Sequence, residues 1–191
     1  MTVEAITEVL GEHFGIAAAD GALALGKLGL GAGTRVLDAG TGSGNFAIYL
    51  ASQGLDVVTG EPATDESQYA RRDWAAQAER AGMRERIRFE AFDASRMPFG
   101  DGAFAAVFFF GVLHHIDEGA RWAVIREAFR VTAPRGAVVF LEPREAMLER
   151  VRAKDAAHPP AADPTLYLGD ATVRVDRMEG AMMDVTLLRR A

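Results

Sequence analysis

Residues 36–51 read VLDAGTGSGNFAIYLA: an apolar strand, three glycines at alternate positions, then an apolar helical run. Few chain paths accommodate that order. Gly40, Gly42 and Gly44 let the backbone turn sharply, and they let a ligand approach main-chain atoms that a Cβ would shield. The helix that follows aims unpaired N–H groups, the positive end of its dipole, back at the same space. Asp38 stands two residues ahead of Gly40. Strand, glycine turn and helix together read as a cradle for a nucleotide-type cofactor.

The rest of the chain supplies a matching frame. Apolar residues at three- and four-residue steps (Val3, Ile6, Val9, Leu10, Phe14) predict a helix over 3–14, closed by Gly15. A second short helix is expected over 20–28, with Asp20 as its N-cap. This pair either lies over the cofactor as a lid or covers the sheet. Strands are expected over 34–38, 55–60, 86–92, 103–110 and 137–141, with helices over 44–52, 66–81 and 117–132 between them and a turn at 134–136. Strands alternating with helices imply right-handed crossovers and a parallel sheet covered on both faces. A helix over 144–154 and a proline-rich loop follow. Two alternating segments, 172–178 and 182–188, then flank Glu179-Gly180-Ala181 as a hairpin. The expected fold is one doubly wound α/β domain over 1–191. It has a mostly parallel seven-stranded sheet that an antiparallel hairpin closes, with a core over 34–143 and a helix plus hairpin over 144–191.

Composition narrows the chemistry. The 191 residues include no cysteine, which removes disulfides, thiolate metal sites and a cysteine nucleophile. The net charge of −6 lacks the basic footprint of a nucleic-acid binder. The first residues carry acids rather than a basic leader, and no apolar run reaches spanning length, so the cytoplasm is the default and no membrane partner is expected.

A glycine turn after a strand is shared by several nucleotide-binding families. A dehydrogenase fingerprint would place glycine or alanine at position 45, where this chain has Asn45. Two further acids end consecutive strands, Glu61 after VVTG and Asp93 in FDASRMPF. A carboxylate at the end of the second strand can accept both hydrogen bonds of a ribose diol. Each acid alone reads as a solvated strand end. Three converging on one crevice do not.

With these residues in view, 34–143 resembles the class I S-adenosylmethionine-dependent methyltransferases of the broad type 11 group. VLDAGTGSG, Glu61, DASRMPF from Asp93, FFFGVLHHI from Phe108 and PRGAVVFLEP carry the resemblance. It implies that Asp38, Gly40, Thr41, Gly42 and Gly44 meet the methionine portion of S-adenosyl-L-methionine. It also implies that Glu61, beside Pro62, holds the ribose, and that Asp93 and the N–H of Ala94 meet the adenine. Phe110, ending the fourth strand, and Gly111 are expected to touch ligand. One departure is Ala105, where many relatives carry an acid after Phe104 that serves the strand's local structure.

Methyl transfer asks little of side chains, because the sulfonium is already a strong electrophile and the protein chiefly aligns and excludes water. His114 and His115 are the candidates for a base, or else they form the pocket wall. His13 and His158 stand alone in sequence, as surface or capping residues, and four scattered histidines without cysteine form no metal-site pattern. Glu142 could line the acceptor pocket. Trp74 and Tyr69 read as packing residues. The expected activity is methyl transfer to a small-molecule acceptor, releasing S-adenosyl-L-homocysteine. The alternative is an inactive cofactor-binding scaffold. Aminopropyl transfer would call for acids lining a polyamine pocket, and the sequence offers no such set.

Overall fold

The computed structural model describes residues 1–65 and 73–191. Seven strands form one sheet in the order β3-β2-β1-β4-β5-β7-β6. They are β1 (Arg35–Ala39), β2 (Asp56–Gly60), β3 (Ile87–Phe89), β4 (Phe104–Phe110), β5 (Thr132–Pro143), β6 (Val173–Glu179) and β7 (Met183–Arg190). β1 pairs in parallel with both β2 and β4, β2 with β3, and β4 with β5, whereas β7 runs antiparallel to β5 and to β6. The doubly wound sheet with an antiparallel edge is therefore the one the strand pattern predicts.

Pleating divides the core. Phe108 points to one face with Val36, Val57 and Val139, against α1 (Val3–Leu10), α2 (Glu12–Leu28) and α3 (Asn45–Ser52). Phe109 points to the other face, with Leu37, Val107 and Phe140, against α5 (Glu118–Val131). Phe109 stacks on Phe140 across β4 and β5 at 4.7 Å between ring centroids. α3 is buried along almost its whole length, from Phe46 to Ala51, because the sheet lies on one side and α2 on the other.

Several boundaries differ from the sequence reading. The first helix ends at Gly11, whose φ of 86° breaks it, and α2 runs straight through Gly15. Asp20 caps nothing. It sits buried in the middle of α2, where its carboxylate accepts backbone N–H groups of Ala181, Met182 and Met183 at 2.6, 3.0 and 2.8 Å. The side chain thus clasps the β6–β7 turn, a long-range partner that no local pattern reveals.

The expected turn at 134–136 lies inside β5, which begins at Thr132 and passes a register shift opposite Phe104 and Ala106. Gly136 is required there, since a Cβ would collide with the carbonyl of Ala105. Ala105 stands at this irregularity, so its departure from the family pattern falls on strand geometry. The third strand is shorter than predicted and stops at Phe89. The helix expected from Glu66 is described only as α4 (Trp74–Arg80), and its earlier part, with Tyr69, lies outside the described residues. Trp74 stacks on Phe89 at 5.9 Å, as a packing residue would. α6 (Glu145–Arg152) follows β5.

Candidate functional site

β1 and β4 are neighbours whose crossovers lead to opposite sides, to β2 and to β5. A crevice opens beyond the strand ends at such a reversal, which is where open α/β sheets bind ligands. The glycine turn runs along it. Gly40 has φ 103°, and a Cβ there would collide with Val112 of the loop after β4. Gly44 has φ 78°, and its Cβ would come to 2.9 Å from the Cβ of Trp74. Gly42, with φ 49°, has nothing among the described residues within 4 Å of where a Cβ would stand. The first and third glycines are forced by crowding, and at the middle one no described residue occupies the place of a Cβ.

Asp38, Thr59 and Thr41 form a buried chain behind the turn. Thr59 donates to Asp38 Oδ2 at 2.8 Å, and the Thr41 and Thr59 hydroxyls lie 2.9 Å apart. Burial, with the Glu61 charge nearby and only the Thr59 bond opposing, pushes the Asp38 carboxyl up to about 8. Its Oδ1 and the Oδ1 of Asn45 are buried acceptors without a donor among the described residues.

Glu61, half-buried past the end of β2, accepts the Gly42 N–H at 2.9 Å, and burial raises its pKa. The acid expected at the ribose is therefore tied to the turn expected at the methionine end. Pro62 follows it, exposed. The N–H of Phe92 donates to the Glu61 carbonyl at 3.1 Å, which brings the Asp93 loop alongside. Asp93 is exposed and accepts both the N–H and the hydroxyl of Ser95 at 2.7 Å, and Ala94 is half-buried against the α5-side core. At the end of β4, Phe110 stacks on Phe46 of α3 at 4.9 Å.

On the far side of the crevice, Gly111 (φ 65°) turns the chain into a single 3₁₀ turn, Leu113–His115. His114 is buried, and its Nδ1 lies 2.8 Å from Glu142 Oε2. Opposite a carboxylate, Nδ1 carries the hydrogen. Glu142, buried at the end of β5, also accepts the N–H of Leu113 at 3.0 Å and that of Ala162 at 3.1 Å. His115 is exposed at its rim, but desolvation of the ring and the neighbouring imidazoles push its pKa down to about 4.

His158 is no isolated surface residue. It is buried, with ring centroids 5.1 Å from His114 and 4.9 Å from His115, and His114 and His115 are 4.2 Å apart. Sequence reasoning missed Thr59 and the gathering of His158, and gave Glu142 only a place in the pocket lining. An acid directly after the all-apolar run of residues 137–141 was the available signal for Glu142. His158 had none, because α5, β5 and α6 separate it from its neighbours in the chain.

A reversed doubly wound sheet, a glycine turn at the reversal and acids ending adjacent strands define an α/β domain that binds a nucleoside-containing cofactor. Comparison with known proteins narrows the class: a model of the methyltransferase domain matches residues 36–136, and the chain belongs to that family, the S-adenosylmethionine-dependent methyltransferases. It is 38% identical over 111 residues to a 27-O-demethylrifamycin SV methyltransferase of Amycolatopsis mediterranei, covering 58% of this chain and 39% of that one. It is 36% identical over 118 residues to a demethylmenaquinone methyltransferase of Beutenbergia cavernae, covering 62% and 44%. The match thus spans less than half the length of either relative. A solved S-adenosylmethionine-dependent methyltransferase of Aquifex aeolicus superposes with a TM-score of 0.67 at 19% identity, covering 100% of both chains, a likeness of fold. Enzymes of this family draw their methyl group from S-adenosylmethionine and release S-adenosylhomocysteine. Among the described residues, no helix is long and apolar enough to cross a membrane.

Proposed function

We propose that the chain binds S-adenosyl-L-methionine along the glycine turn and transfers its methyl group to a small-molecule acceptor at the β4 end of the crevice. The observation that carries this reading is the 2.9 Å bond between Glu61 and the Gly42 N–H at the sheet's reversal, which sets a ribose-binding carboxylate against bare backbone. Gly40, Thr41, Gly42 and Gly44 take the methionine portion, with Asp38 behind them. The Oδ1 atoms of Asp38 and Asn45, without a partner among the described residues, fit hydrogen bonding to that portion. Glu61 accepts from the ribose hydroxyls beside Pro62, Asp93 and the Ala94 N–H meet the adenine, and Phe110 borders the sulfur.

When bound, the cofactor supplies an electrophilic methyl on a sulfonium. The chain's residues hold an acceptor lone pair in line with it and keep water out, an effect of positioning more than of acid–base chemistry. His114 and His115 form the acceptor side, and Glu142 fixes the orientation of the His114 ring. Two relatives whose names specify rifamycin and menaquinone precursors support a small-molecule acceptor, as does a net charge of −6. A cytoplasmic location suits a donor made there.

Calorimetry tests the cofactor half. S-adenosylhomocysteine should bind the wild-type chain, and Glu61→Ala should weaken it at least tenfold, the loss of about 1.4 kcal/mol or more expected for a hydrogen-bonded charged group. Gly42→Val should do the same by closing the open face of the turn. No binding by the wild-type chain would overturn the reading. Binding with no labelled methyl passed to any acceptor in a broad metabolite screen would indicate a scaffold instead.

A further inference from the structure

We propose that His114, His115 and His158 form a site for a divalent first-row transition-metal ion, of the zinc type, at the acceptor end of the crevice. One ligand atom from each ring lies within 4.8 Å of the others. Three imidazoles on a tetrahedral ion stand with nitrogens roughly 3.3 Å apart and ring centroids roughly 5 Å apart. The observed centroid separations of 4.2, 4.9 and 5.1 Å are already near that arrangement, so small χ rotations complete it.

A second, independent observation is the carboxylate behind the first ring. Glu142 holds His114 Nδ1 at 2.8 Å and is itself fixed by the N–H groups of Leu113 and Ala162. Metal-ligating histidines almost always donate their other ring hydrogen to such an outer partner, which sets the tautomer and leaves Nε2 as the donor to the ion. Acids stand around the rings among the described residues: Asp155 and Asp65 act on His115, and Asp155 and Glu142 on His158, with Arg152 opposing at His158. Imidazole donors without thiolate suit zinc, nickel, copper or iron rather than magnesium or calcium.

Three protein ligands leave one coordination position open. Given the methyl transfer proposed above, that position would take a hydroxyl or enol oxygen of the acceptor. Bound there, the oxygen loses its proton to solvent more readily, as metal-bound water does. Its lone pair then forms the new C–O bond as the C–S bond breaks, the C–S electron pair remaining on sulfur, so that the sulfonium becomes a neutral thioether. The site would thus select acceptors methylated on oxygen.

The test uses the full chain without a polyhistidine tag, stripped with chelator and titrated with Co²⁺ or Zn²⁺. One equivalent should bind by calorimetry, and Co²⁺ should give the intense visible absorption of a low-coordinate nitrogen site. His115→Ala and His158→Ala should each abolish the spectrum while circular dichroism stays unchanged. Glu142→Gln should weaken binding about ten- to hundredfold. Glu61→Ala should leave metal binding intact while losing S-adenosylhomocysteine, so failure of the cofactor reading and failure of this one are distinguishable. Absence of saturable binding, or binding undiminished in both histidine variants, would overturn the proposal.

Discussion

Asp38 carries a carboxyl that folding removes wholly from water, with one hydroxyl as its hydrogen-bond partner. Its pKa rises from an ordinary carboxylate value to about 8, because burial outweighs the Thr59 bond. The sign of the resulting pH dependence follows. A raised folded-state pKa means that stability is fully present below the unfolded pKa and falls as pH rises toward 8, since only the unfolded chain gives up the proton in that window. Urea denaturation at stepped pH should show the stability of the wild type, taken relative to Asp38→Asn, declining between about pH 4 and pH 8, the comparison cancelling the opposite contribution of His115. A difference between the two proteins that stays constant over that range would show that Asp38 ionises freely. The acid beside the glycine turn was legible in the sequence, but its burial was not, because that depends on β2 and β4 pairing on either side of it, with Thr59 and Phe108 opposite.

Among the elements, the β6–β7 hairpin depends on one side chain from the other end of the chain. Asp20 accepts three backbone N–H groups at its turn, and a Cβ on Gly180 would press on the same carboxylate at 2.5 Å. Asp20→Ala leaves those three donors without their partner, each costing on the order of 1 kcal/mol or more, so a loss of about 3 kcal/mol is expected. Thermal denaturation measures the loss, and faster hydrogen exchange at Ala181, Met182 and Met183 localises it. If exchange accelerates uniformly instead, the clasp is not local. The hairpin itself was readable from alternation around Glu179-Gly180-Ala181, whereas its tether was not, since an aspartate before a helical run is ordinarily read as a cap.

For the whole molecule, the hairpin completes the sheet. β7 pairs with β5 from Val138 to Pro143 and shields the strand that carries Phe140, Leu141 and Glu142. A chain ending at Pro143 keeps the family-matched stretch but bares that edge and frees Asp20. It should lose cooperative melting and self-associate on size exclusion, because an exposed apolar edge strand invites pairing with another copy. A monomeric, sharply melting truncation would show that the core stands without the hairpin.

The alternation of strand and helix, the glycines of the turn and the acids ending the strands are local patterns, and from them the order of elements, the parallel core, the hairpin and the strand–turn–helix unit could all be read. Period and turn chemistry act within a few residues, so the sequence displays them directly. The tertiary structure alone decided that Asp20 reaches Met183, that Thr59 backs Asp38, and that His158 joins His114 and His115 around the carboxylate of Glu142. Those meetings depend on crossovers that bring distant segments to one end of the sheet, and no spacing along a single chain encodes them visibly.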